Sequence, residues 1–75
     1  MKKIKFSIIG AGKMASEYLK VLDSSRNIEV ESIYSRTFSK ANFLRKKYNI
    51  KKSFKNINFF CKENNSDIII IAVSE

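Results

Sequence analysis

Asp67–Val73 reads DIIIIAV, six consecutive apolar residues behind a single carboxylate. A strand with one wet face alternates apolar and polar residues. A run of strand length that is apolar at every position belongs instead to a parallel sheet covered by helices on both sides. This reading makes Ile68–Val73 the last strand of an α/β arrangement and sets the terms for the residues before it.

Working back towards the amino terminus, the pattern switches period repeatedly. Ile4–Ile9 alternates (Ile4, Phe6 and Ile8 against Lys5 and Ser7) and ends on an extra Ile9, the mark of a first strand. From Ala11 the apolar residues recur at helical spacing, with Ala11, Ala15, Tyr18 or Leu19, and Leu22 on one face. After the loop cluster Asp23–Asn27, a second strand is expected over 28–34, carried by Ile28, Val30 and Ile33. Thr37 or Ser39 is placed to cap a second helix whose inner face is Ala41, Leu44 and Tyr48. Asn49 stands where a helix needs a left-handed residue to stop. Lys51–Phe54 is a short strand, and Asn56 is placed to cap a third helix with Ile57, Phe60 and Cys61 turned inward. Strand, helix, strand, helix, strand, helix, strand implies a doubly wound α/β fold with strand order 3-2-1-4, because parallel crossovers are right-handed.

Composition narrows the function. The 75 residues suffice for one small domain, and 44% of them are hydrophobic, too apolar for a disordered tail. Fifteen Lys and Arg against seven Asp and Glu give a net charge of +8, which raises nucleic acid as a partner. The lysines are nevertheless spread through every segment. The dense clusters, Arg45-Lys46-Lys47 and Lys51-Lys52, flank the expected end of the second helix, where its dipole favours cations. Nucleic acid is therefore the weaker reading. One cysteine, Cys61, excludes an internal disulfide and is read as packing; with no histidine in the chain, a His-ligated metal is excluded too. Neither a signal peptide nor a membrane-spanning stretch is recognisable, so a cytoplasmic protein is expected.

The chemistry is concentrated between the first strand and the first helix. Gly10-Ala11-Gly12-Lys13-Met14-Ala15 fits G-x-G-x-x-[G/A] in its required setting. The first glycine makes the tight turn, the second lets a pyrophosphate approach the backbone, and Ala15 lets the helix pack close to the sheet. The N–H groups that open the helix then face the phosphates, Lys13 and Met14 contributing through their backbone. A Walker A loop, prompted by Gly12-Lys13, fails at Met14, where magnesium needs Ser or Thr, and at Ser7, where the first glycine belongs. A tight turn that binds nothing is the remaining alternative.

Dinucleotide folds usually carry an Asp or Glu at the end of the second strand for the ribose 2′-hydroxyl, about 20 residues beyond the motif. Here that place holds Ser35-Arg36-Thr37. Without a carboxylate a 2′-phosphate is not repelled, and a guanidinium binds one bidentately. Ser35 and Thr37 offer hydroxyls and Lys40 adds charge, so NADP(H) is favoured over NAD(H). Ala72, Val73 and Ser74 end the fourth strand beside the expected crevice and complete the cofactor-binding set with Gly10, Gly12, Lys13, Met14, Ser35, Arg36 and Thr37. No catalytic or metal-binding residue is assigned.

The stretches IIGAGKMASEYLKVL (Ile8–Leu22), IEVESIYSRTFSKANFLRKKYNI (Ile28–Ile50) and SDIIIIAVSE (Ser66–Glu75) resemble the N-terminal domain of the glucose–fructose oxidoreductase and inositol dehydrogenase family (Gfo/Idh/MocA). The resemblance implies an incomplete dinucleotide-binding domain over residues 1–75. It also implies hydride transfer between a nicotinamide cofactor and a sugar, cyclitol or sugar-derived substrate. Catalytic residues and the substrate domain would follow Glu75, leaving this stretch inactive alone, and homo-oligomer formation stays open. The pyrroline-5-carboxylate reductase-like group, whose members begin similarly to IIGAGKMA, and a non-catalytic nucleotide-sensing module are the alternatives.

Overall fold

The structure is a computed structural model that describes residues 3–72. Its elements run β1 (Ile4–Ile9), α1 (Lys13–Asp23), β2 (Ile28–Tyr34), α2 (Phe38–Lys47), β3 (Lys52–Phe54), α3 (Ile57–Glu63) and β4 (Ile68–Ile71). The four strands are parallel in the order β3-β2-β1-β4 expected from the sequence.

The two faces of the sheet are closed by different chemistry. On one, α1 and α2 bury Ala15, Leu19, Leu22, Ala41 and Leu44 against Ile8 and Ile33. On the other, α3 inserts Phe60, fully buried, between the rings of Tyr34 and Phe54 at centroid distances of 6.1 and 5.8 Å. Beside it lie two fully buried serines, Ser7 and Ser32, whose hydroxyls meet at 2.8 Å. The Ser7 hydroxyl also donates to Asn64 Oδ1 at 2.9 Å, tying the residue after α3 to β1. Burying these hydroxyls is tolerable because each has a partner.

Helix ends follow local chemistry. Asn49 adopts φ 55, and the Ile50 N–H donates back to the Arg45 carbonyl at 2.9 Å, closing α2 in a Schellman turn. Asn56 caps α3, its Oδ1 accepting from the N–H groups of Asn58 and Phe59.

Several expectations change. The helix face foreseen from Ala11 starts at Lys13, because Gly12 is extended (φ −89, ψ −160) and serves as N-cap. Of Tyr18 and Leu19, Leu19 is buried and Tyr18 is exposed. Only Phe60 of the inner face expected for α3 is buried: Ile57 is partly exposed and Cys61 lies on the surface. A seven-residue helix makes barely two turns, so one large side chain suffices to anchor it. In β4, Ile68, Ile69 and Ile71 are exposed at 44%, 44% and 67%, so among the described residues this strand is not covered on both faces. Val73 lies outside the described residues.

Candidate cofactor site at the carboxyl end of the sheet

β1 ends in Gly10, whose φ of 122 lies where a side chain is strained. Its N–H donates to the Tyr34 carbonyl at 2.7 Å, so the turn is pinned to the end of β2. The chain then enters α1 at Gly12. The first intrahelical bond runs from Ser16 N–H to the Gly12 carbonyl at 3.0 Å, and no side chain caps the helix. The N–H groups of Lys13, Met14 and Ala15 thus open the helix without intrahelical acceptors, and no acidic residue occupies the first turn. This terminus suits an anion.

Gly12 makes a separate point. A Cβ built there meets no protein atom within 4 Å, and its φ is an ordinary one, so the fold itself does not demand glycine. The space a side chain would take belongs to a cleft of about 640 Å³. A backbone that stays bare beside open space is what a pyrophosphate lying against the turn requires.

The same cleft brings together Gly10, Gly12, Met14, Ser35, Arg36, Thr37 and Ala72. Lys13 lines instead the neighbouring groove of about 360 Å³ between α1 and α2, which shares Ala11, Gly12 and Lys40 with the cleft. Val73 and Ser74 lie outside the described residues. Sequence reasoning overlooked Tyr34 and Ile57, which also line the cleft. Tyr34 was readable as the last residue of β2; Ile57 reaches the site only because the crossover through α3 returns it there.

Beyond the end of β2, Ser35 Oγ accepts from the Thr37 N–H at 3.1 Å, leaving the hydroxyl proton free to donate. Thr37 is the N-cap of α2 but makes no side-chain capping bond, so its hydroxyl is unspent. Arg36 is exposed and Lys40 projects from the first turn of α2 into the same cleft. No Asp or Glu is among the described residues that line it. Backbone donors at one end and two cations at the other suit a ligand with two separated phosphate groups.

The chain matches the Gfo/Idh/MocA family, described as an oxidoreductase family with an NAD-binding Rossmann fold, over residues 4–75. The chain belongs to this oxidoreductase family. The match decides for it over the pyrroline-5-carboxylate reductase-like alternative. No curated protein sequence matches the chain. Among solved structures, apo scyllo-inositol dehydrogenase from Lactobacillus casei superposes with a TM-score of 0.85 at 15% identity, over 97% of this chain and 22% of that one. The WlbA dehydrogenase from Chromobacterium violaceum, in complex with NADH and UDP-GlcNAcA, gives 0.89 at 15% identity, over 97% and 21%. A 3-ketoreductase from Actinomadura kijaniata, in complex with TDP-benzene and NADP, gives 0.81 at 18% identity, over 96% and 23%. This Gfo/Idh/MocA chain therefore spans about a fifth of the length of these structures.

Among the described residues no group of three or more His, Cys, Asp or Glu forms a metal site, and no helix is long and apolar enough to cross a membrane.

Proposed function

We propose that this chain is the NADP(H)-binding part of an oxidoreductase that moves hydride between the nicotinamide and a sugar, cyclitol or sugar-derived substrate. The bound cofactor supplies or accepts the hydride; the chain's own residues bind and orient it. Gly10 and Gly12 keep the backbone clear for the pyrophosphate, and the N–H groups of Lys13 and Met14 donate to it. Arg36 and Lys40 neutralise the 2′-phosphate, with Ser35 and Thr37 donating from their hydroxyls. Ala72, just after β4, borders the nicotinamide half. Substrate binding and catalytic groups come from polypeptide outside residues 1–75.

The observation that carries the NADP(H) preference is the composition of the cleft's adenosine end: two cations and two hydroxyls with no carboxylate among the described lining residues. The relatives do not decide it, since their structures hold NADH in one case and NADP in another. The test is equilibrium binding of NADPH and NADH by intrinsic cofactor fluorescence. NADPH should bind more tightly, and Arg36→Ala should cost it roughly 10–100-fold, the loss of a hydrogen bond to a charged group worth ~1.5–3 kcal/mol, while barely changing NADH. Equal affinities in the unmodified protein would overturn the assignment.

A further inference from the structure

A second and larger cavity, about 800 Å³, opens on the outer side of β3 between the start of α2 and α3. Its walls are three phenylalanines: Phe54 from β3, Phe38 from the first turn of α2 and Phe59 from α3. Phe38 and Phe59 are 39% and 61% exposed. Neighbouring aromatic rings left this open mark a contact surface rather than scattered surface apolarity. Lys55 and Lys62 stand on the rim, with Glu63 the one carboxylate among the described lining residues.

The edge beside the groove is also open. Among the described residues β3 pairs with β2 alone, so its outer side presents backbone donors and acceptors. Lys52 opens this short strand, and Lys51 and Lys55 flank it. They repel a second basic chain and attract an acidic one.

Three occupants compete, and charge and hydrogen bonding separate them. A second copy of this +8 chain would set like lysines against each other in a two-fold contact. A small ligand needs converging polar groups to orient it. Here Asn56 Oδ1 is spent on capping α3, and the Ser53 hydroxyl is turned to Asn42 Oδ1 at 3.4 Å. An extended acidic peptide uses what remains: strand-edge backbone groups, apolar pockets for alternate side chains, and the lysines.

We propose that this groove docks an acidic peptide segment, which adds as a strand to the outer edge of β3 and seats an aromatic or aliphatic side chain among Phe38, Phe54 and Phe59. The groove adjoins the cofactor cleft without sharing a lining residue, so a peptide seated there does not compete with the cofactor for space.

The test is fluorescence anisotropy at low salt with a labelled heptapeptide, Glu-Asp-Val-Phe-Val-Asp-Glu, against the same peptide with every acid replaced by lysine and against a uridine dodecanucleotide. The acidic peptide should bind, the basic one should not, and added salt should weaken the complex. Phe59→Ala and the double variant K55E/K62E should each weaken it about tenfold or more, as loss of a buried anchor or a charge pair does. NADPH affinity, measured on the same preparations, should stay unchanged and shows that the variants are folded. Three results would overturn the proposal: no binding of the acidic peptide, equal binding of both peptides, or indifference to both variants. Displacement of the peptide by saturating NADPH would overturn it by merging the groove with the cofactor cleft. Tighter binding of the oligonucleotide would hand the groove to single-stranded nucleic acid. A dimer that dissociates on Phe59→Ala would hand it to a second copy.

Discussion

At the carboxyl end of the sheet, the cofactor cleft is floored by Gly10, Ala11 and Gly12 and offers backbone N–H groups, whereas the groove outside β3 is walled by Phe38, Phe54 and Phe59. Phe60 is common ground between them. Its ring packs on Tyr34, which lines the cleft, and on Phe54, which lines the groove. The cleft is set apart by what is missing, with bare backbone and no carboxylate among its described lining residues. The groove is set apart by what is present, namely exposed rings beside lysines. Two surfaces built on one small sheet thus differ in chemistry while resting on a single buried side chain.

The harshest challenge to that comparison is Phe60→Ala. Truncating a fully buried phenylalanine costs about 3–5 kcal/mol, which urea unfolding will register, and both NADPH and peptide affinity should fall together. If only one falls, the two surfaces do not share a wall. Next come the two glycines, which separate backbone from ligand demands. Gly10→Ala puts a side chain at φ 122 and should cost roughly 1–3 kcal/mol of stability. Gly12→Ala should change stability by no more than about 1 kcal/mol, since its Cβ meets no protein atom. It should still weaken NADPH at least about tenfold, because the methyl takes the space a pyrophosphate needs. Unimpaired NADPH binding by this variant would remove the turn from the site. The smallest effect belongs to Asn56→Ala. Losing the α3 cap should cost about 1 kcal/mol in the same unfolding assay and leave NADPH affinity untouched, sharpening the boundary between cleft and groove.

Legibility in the sequence followed the range of the interactions involved. Asn49, Asn56 and the glycine turn were readable because each is specified by neighbours within a few residues. Strand order was readable because handedness leaves few ways to connect four parallel strands. The choice between Tyr18 and Leu19 was not, since adjacent positions straddle the edge of a helical face and the packing partner decides. Cys61 and Ile57 were misjudged because α3 docks through Phe60 into a slot between Tyr34 and Phe54, residues distant in sequence. Counting from the glycines led to Ser35, Arg36 and Thr37, which line the cleft. Ile57 was invisible to counting because it arrives through a crossover.

Between β1 and β2, Phe6 stands opposite Val30 but Ser7 stands opposite Ser32, so Glu31 is an extra residue on the β2 side of the ladder. It is 5% exposed, and its Oε2 has no hydrogen-bond partner among the described residues. The apolar spacing already records the slip, two residues from Ile28 to Val30 and three from Val30 to Ile33. The bulge acts as a phase shifter. Upstream of it, even-numbered residues face the α1 and α2 layer; downstream, the odd-numbered Ile33 does. Deleting that single residue would set Val30 and Ser32 side by side opposite Phe6 and Ser7, a plain ladder in which Ile33 keeps its inward face and Tyr34 its place against Phe60. Strand β2 can therefore lose Glu31 more readily than any of its neighbours, since shortening the chain there alone leaves the register, and the bond from Gly10 to Tyr34, in place.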